Sequence, residues 1–280
     1  MATLEKEQWL RWVDRVLNVL CALIGCVVVY LLLSVFCFCT FKIPSESMMP
    51  GLLPGDQVVV NKMVLGPRLF NLRQAAKRRR VPVYRLPGFG EVRRNDVLVF
   101  HDPYPYGLVN RIRMDLLRYF VKRCVGLPGD SLSIRNGYYR VKGTDEPLGD
   151  LGKQAEQLVA GEDALRRQRI FEAYPQAPEL GWNVFEFGPL YIPRRGDSIR
   201  MDRRNAAIYR ELIEWEQQGS LRVDSAGVVS LDDKPLEGYR FGHDYYFMAG
   251  DNVPASHDSR FWGLLPDEFI VGKVWLTFHP

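Results

Sequence analysis

The chain has 280 residues and a mass of 32.3 kDa, enough for one large domain or two small ones. Hydrophobic residues make up 47% and charged residues 25%, which excludes a disordered or collagen-like chain. A net charge of +4 does not call for a nucleic-acid partner, five cysteines are too few for a disulfide scaffold, and a mean hydropathy of −0.16 excludes a polytopic membrane protein.

The average hides one apolar stretch. From Val16 to Phe41 there is no charged residue over 26 positions, bounded by Arg15 and Lys42. As a helix this stretch reaches roughly 39 Å, enough to cross a ~30 Å hydrocarbon core with some tilt. A secretory signal that is removed has a shorter apolar region and a small-x-small cleavage site. Neither fits, so residues 16–41 are read as an uncleaved transmembrane anchor behind a short tail, 1–15. Cys21, Cys26, Cys37 and Cys39 lie inside the stretch as small apolar side chains. Cys124 alone remains for the rest of the chain. Lys6, Arg11 and Arg15 precede the stretch, whereas only Lys42 follows it before Lys62. That bias expects a cytoplasmic N-terminus and an exported C-terminal domain.

Short β-rich runs follow, punctuated by Gly, Pro and Asp: Asp56–Asn61, Asp96–Phe100, Tyr119–Val125, Ser131–Arg135, Tyr138–Val141, Tyr245–Met248 and Ile270–Phe278. Asn136-Gly137 predicts a type I′ hairpin between two of them, and Asp232-Asp233 a second. The segment 67–94 is basic and loop-like. Its run Lys77-Arg78-Arg79-Arg80 suits either anionic lipid beside the anchor or a solvated loop. Two helical stretches interrupt the β pattern. Residues 202–218 place Ile208, Leu212 and Trp215 on one face, with Asp202 as N-cap and Gly219 just past the end. Residues 154–171 form a weaker helix.

Chemistry concentrates in four blocks. The first, Ile43-Pro44-Ser45-Glu46-Ser47-Met48-Met49-Pro50, sets two serines between prolines that pre-set the backbone. The second is Arg94–Phe100, a core-like strand. The third is Tyr119–Asp130, with Lys122-Arg123-Cys124-Val125-Gly126-Leu127-Pro128-Gly129-Asp130. The fourth is Gly250–Gly263, with Gly250-Asp251-Asn252 and Ser256-His257-Asp258-Ser259-Arg260.

Together these blocks resemble the bacterial type I signal peptidases, serine proteases that remove signal peptides from exported proteins. All four stand in the family's order behind an N-terminal anchor. The resemblance implies that Ser47, directly before Met-x-Pro, is the nucleophile and Lys122 the general base. It implies that Ser45 and the Ser47 N–H form the oxyanion hole, that Ser256 orients the lysine, and that Asp258 and Arg260 form a supporting ion pair. Pocket walls for the substrate would come from Phe41, Ile43, Pro44, Met48, Leu52, Phe120 and Val121. The implied fold is mainly β with an N-terminal transmembrane helix. Its catalytic core, a signal-peptidase-like β-barrel or sheet, takes residues 42–130 and 245–280. An inserted variable subdomain with one or two helices takes 131–244, and Phe187-Gly188-Pro189 to Ile192-Pro193 resembles the family's connecting segment. The implied partners are signal peptides of secreted preproteins and membrane lipid, with no nucleic acid, no cofactor and no metal. The implied place is the bacterial inner membrane, single-pass, with the catalytic part on the extracytoplasmic side.

Elementary chemistry agrees with these roles. A serine hydroxyl is a poor nucleophile until a base takes its proton. A lysine serves only when neutral, which desolvation favours. On a strand, Phe120, Lys122 and Cys124 share one face, so the amine would sit among apolar neighbours. Asp258 and Arg260 share a face if extended. A Ser256-His257-Asp258 relay is disfavoured because adjacent side chains diverge. The chain departs from the family pattern at Gly51, usually Thr, and at Val253 and Ala255, usually Arg and Asn. These departures keep open a non-catalytic anchored homologue that binds or assembles. A self-cleaving Ser/Lys relative of the LexA-type repressors is opposed by the anchor and by the lack of a DNA-binding domain.

Overall fold

The structure, a computed structural model, describes residues 2–71, 74, 83–104 and 112–279. The basic run Lys77–Arg80 lies outside them. The chain opens with helix α1, Ala2–Leu32, and a π-helical turn, Leu33–Cys37. The stretch Trp9–Cys37, whose most apolar 18-residue window has a mean hydropathy of 2.9, is long and apolar enough to cross a membrane. Most of its side chains stay uncovered by the described residues: Leu23, Val27, Val29 and Tyr30 are all more than half exposed. The helix stops short of the end of the uncharged stretch, because Phe38–Lys42 forms strand β1 instead. β1 is then covered by β2, Gln57–Asn61, along its whole length.

The junction is tied down. Lys62 Nζ donates to the carbonyls of Ser34 and Val35 at 2.8 and 3.3 Å, and Lys62 N–H donates to Cys37 O at 2.8 Å. The lysine thus satisfies carbonyls that the helix end leaves open and places a cation at the negative pole of the dipole.

The remaining strands of the main sheet are β5, Val97–Asp102, and β6, Asp115–Gly126, followed by β15, Tyr245–Ala249, β16, Leu265–Pro266, and β17, Ile270–Phe278. The order is β1-β2-β17-β5-β6-β15-β16, and every neighbouring pair is antiparallel. Two short strands that sequence left inside the basic loop, β3 (Arg68–Leu69) and β4 (Tyr84–Arg85), pair with each other. Arg85 donates to the carbonyls of Asp267 and Ile270, and Arg68 to those of Glu268 and Phe269, so this hairpin is pinned to the start of β17.

A second sheet follows β6. β7 (Ser131–Arg135) and β8 (Tyr138–Val141) turn at Asn136-Gly137, both with positive φ, and β9 (Phe187–Tyr191) flanks β7. Between β8 and β9 the predicted helix over 154–171 starts earlier and is broken in two: α2, Leu151–Ala160, and α3, Glu162–Arg167. Gly161 stands between them at φ +77°, a backbone that ends one helix before the next begins. β10, Ser198–Arg200, leads to α4, Arg203–Gln217, capped by Asp202 as expected; its last residue is followed by Gln218, not Gly219, in the left-handed region. β11 to β14 (Leu221–Val223, Val229–Leu231, Lys234–Pro235, Gly238–Arg240) then return the chain to β15, with Asp232 and Asp233 both at positive φ in the β12–β13 turn. The fold is mainly β, with an N-terminal apolar helix and a few short helices. One large core joins Leu98, Cys124 and Phe247 of the main sheet to Leu132 and Phe187 of the second sheet and to Ile208 and Leu212 of α4.

Candidate active site

The first block forms a single 3-10 turn, Glu46–Met48, entered from Ser45 in an extended conformation. Met48 is the plug: it is 1% exposed and packs with Ile43, Leu52, Val58, Val60, Val99 and Val271. Burying that side chain is worth about 2 kcal/mol and fixes the turn against the sheet. Ser47, next to the plug, faces strand β6.

Lys122 stands in β6 opposite Leu98 of β5. Its side chain is 3% exposed, with Phe100 and Cys124 of the same sheet face also buried. Nζ lies 6.0 Å from the Phe120 ring centroid and makes a 2.5 Å hydrogen bond with Ser47 Oγ. Loss of hydration lowers the Lys122 pKa from the ordinary 10.5 to about 8. Arg260 pushes in the same direction, while Asp258 and Asp251 oppose it. Ser45 Oγ lies 3.4 Å from Ser47 Oγ and faces solvent.

The fourth block lines the other side. A short helix α5, Ser259–Trp262, begins at Asp258, whose side chain caps it. Asp258 and Arg260 are therefore joined across a helix start rather than along an extended strand. The pair is bidentate, Nε to Oδ1 at 2.8 Å and Nη2 to Oδ2 at 2.9 Å, and both residues are buried. Nη2 also donates to the carbonyls of Val253 and Ser256. Gly250 N–H donates to Asp258 Oδ2 at 3.0 Å, and Asn252 N–H donates to Ser47 O at 3.1 Å. The loop thus holds the backbone of the Ser47 turn directly. Ser256 is buried beside Gly250, but its hydroxyl makes no hydrogen bond with Lys122, whose ammonium is turned to Ser47 instead. His257 stacks flat on Phe261 at 5.4 Å, and its ring is not among the hydrogen-bond partners of Ser47 or Lys122.

The seven residues expected as pocket walls divide. Ile43, Met48 and Leu52 are sealed in the core, Phe41 and Val121 pack on its edge, and Pro44 and Phe120 are exposed.

The profile of the family described as signal peptidase, peptidase S26, matches residues 15–279. The chain belongs to peptidase family S26. It is accordingly a serine endopeptidase. A signal peptidase I from Helicobacter pylori (strain J99) is 25% identical over 260 residues, covering 91% of this chain and 79% of that one. One from Pseudomonas aeruginosa is 28% identical over 263 residues, covering 89% and 69%. A crystal structure of a signal peptidase I from Enterococcus faecalis V583 aligns with 67% of this chain and all of its own, at 16% identity and a TM-score of 0.31.

This S26 peptidase carries a second ion pair that sequence reading missed. Arg123, on the opposite face of β6 from Lys122, meets Asp251 through two 2.6 Å bonds and also donates to Asn95 O. The departure at Gly51 belongs here. A Cβ on Gly51 would stand 2.4 Å from Asp251 Oδ2 and 3.3 Å from Arg123 Nη2. The absent side chain leaves the space that the pair occupies and opens a cleft of about 250 Å³ lined by Pro50, Gly51, Asn95, Arg123 and Asp251. The signal lay in Lys122-Arg123: adjacent residues on a strand point to opposite faces, so with Lys122 aimed at Ser47, Arg123 turns to the other side, where it meets Asp251 just past the end of β15.

Proposed function

We propose that this peptidase cleaves N-terminal signal peptides from exported preproteins at a membrane surface, through an acyl-enzyme formed on Ser47. The observation that carries the reading is the 2.5 Å approach of Lys122 Nζ to Ser47 Oγ in a dry setting. Neutral Lys122 takes the hydroxyl proton as Oγ attacks the scissile carbonyl, then gives it to the leaving amine. Water, activated by the same amine, releases the acyl group. Ser45 Oγ and the Ser47 N–H receive the developing oxyanion; one such donor is worth roughly 2.7–4 kcal/mol. Ser256 orients the amine once Ser47 is acylated and no longer holds it. Asp258 and Arg260 are the supporting pair, and Phe41, Pro44, Phe120 and Val121 flank the substrate residues before the cut, with Ile43, Met48 and Leu52 as the packed floor beneath them.

The reading extends to place and partners. Helix α1 spans the inner membrane of a bacterium once, with residues 1–15 cytoplasmic and the β-rich part outside, and 131–244 is a subdomain inserted in the catalytic core. Lipid holds enzyme and signal peptide at one depth, which raises their effective concentration. The test is cleavage of a purified precursor by the full chain in vesicles. Lys122→Ala and Ser47→Ala are expected to lose at least ~100-fold in rate, and His257→Ala to stay near the unmodified chain. Tolerance of Lys122→Ala together with loss on His257→Ala overturns the assignment.

A further inference from the structure

Helix α2 is inside out. Its exposed positions include Leu151, Leu158 and Val159, the last 87% exposed, while Gln154 and Gln157 are buried at 0% and 3%. Burying a primary amide is costly unless it is hydrogen-bonded, so each buried glutamine must earn its place through a partner. Gln154 accepts from Tyr139 N–H and donates to the carbonyls of Leu148 and Asp150, which ties α2 to β8 and to its own first turn. Gln157 does something else. Its Oε1 accepts from Arg260 Nη1 at 2.7 Å across 103 residues of sequence.

Arg260 is 1% exposed; its other side-chain hydrogen bonds go to Asp258 and to the carbonyls of Val253 and Ser256, and its guanidinium lies over the Phe261 ring at 5.2 Å. Those contacts set the loop 250–258, in which Gly250 abuts both Ser256 Oγ and the Ser47 carbonyl. Nη1 points out of that loop, toward α2, and Gln157 closes it. We propose that Gln157 is a positioning residue for peptide hydrolysis, which holds the Arg260 guanidinium, and through it the loop behind Ser47, with a neutral acceptor. The proposal rests on the Ser47–Lys122 reading above.

Neutrality matters as well as reach. Lys122 is faced by Asp258, Arg260, Asp251 and His257, and Arg260 by Asp258, Tyr139 and Gln157. A carboxylate at 157 would keep the bond to Arg260 but add a negative charge to this dry cluster. That charge favours the Lys122 ammonium, so the neutral amine would form only at higher pH.

The experiment compares Gln157→Leu and Gln157→Glu with the unmodified full chain in vesicles, using one purified precursor and a pH series. For Gln157→Leu, kcat is expected to fall about tenfold with little change in KM. For Gln157→Glu, the acid limb of kcat/KM is expected to move to higher pH, with kcat recovered above that limb. Ser47→Ala and Lys122→Met run in parallel. If either of these cleaves normally, the underlying reading falls and the proposal with it. If both are dead while folded Gln157→Leu keeps its kcat, or Gln157→Glu shows an unmoved acid limb, the Gln157 proposal alone is overturned. Should Gln157→Leu fail to fold, the acid limb of Gln157→Glu decides.

Discussion

As pH rises through about 8, a growing fraction of molecules carries Lys122 as the neutral amine, and cleavage is expected to rise with it and then level. Stability follows the same group. The unfolded chain holds that proton up to about 10.4. Between the two values unfolding takes up a proton, so the fold gains stability as pH rises. Below pH 8 the buried charge costs the fold about 3 kcal/mol. Lys122→Met is therefore expected to abolish cleavage and to raise the melting temperature at pH 7, with the gain vanishing near pH 10.5; calorimetry across that range checks it. A lower melting temperature for the variant at pH 7 would contradict the burial argument. Gly250 gives a second prediction. A Cβ there would stand 2.1 Å from Ser256 Oγ and 2.6 Å from Ser47 O. Gly250→Ala must shift Ser256, the Ser47 turn or both, and on the proposed function a loss of about 100-fold in kcat is expected, read by single-turnover cleavage. Ser47, Lys122, Asp258 and Arg260 were legible because each stands in a motif. Gln157 was not, because a glutamine in an unremarkable helix carries no pattern, and its partner lies 103 residues away.

Among the elements, the strands were the most readable. Ser131–Arg135, Tyr138–Val141 and Ile270–Phe278 come out with the expected bounds, because alternation and turn residues agree there. Helix α4 was legible for a similar reason: Ile208 and Leu212 bury one stripe and Asp202 caps it. α2 was misplaced because its buried side carries glutamines, which a search for apolar periodicity passes over. β3 and β4 were missed because two-residue strands leave no period; what holds them is Arg68 and Arg85 reaching the backbone at 267–270. The junction between α1 and β1 allows a test at this scale. Lys62 holds the carbonyls of Ser34 and Val35. Lys62→Ala leaves those groups open and removes a favourable charge at the helix end, a loss of about 1 kcal/mol. Faster hydrogen exchange at residues 33–42 in vesicles is expected, and unchanged exchange would show that the lysine does not hold the junction.

At the scale of the molecule, the core does not stop where the second sheet begins. Leu98 and Ile270 of the main sheet share it with Leu132, Phe187 and Ile208. Sequence located the two groups of strands but not this continuity, since core contacts join residues that no local pattern links. α2 reaches the loop behind Ser47 by polar contacts instead, Gln154 on β8 and Gln157 on Arg260. The path from α1 has its own consequence. The π-helical turn runs straight into β1, and only four residues separate Lys42 from Ser47. On the proposed function, Lys62 clamping that path gives the hydroxyl a set altitude above the lipid, like a blade bolted to a post, and a precursor is sorted by how far its scissile bond emerges from the bilayer, before any side chain is read.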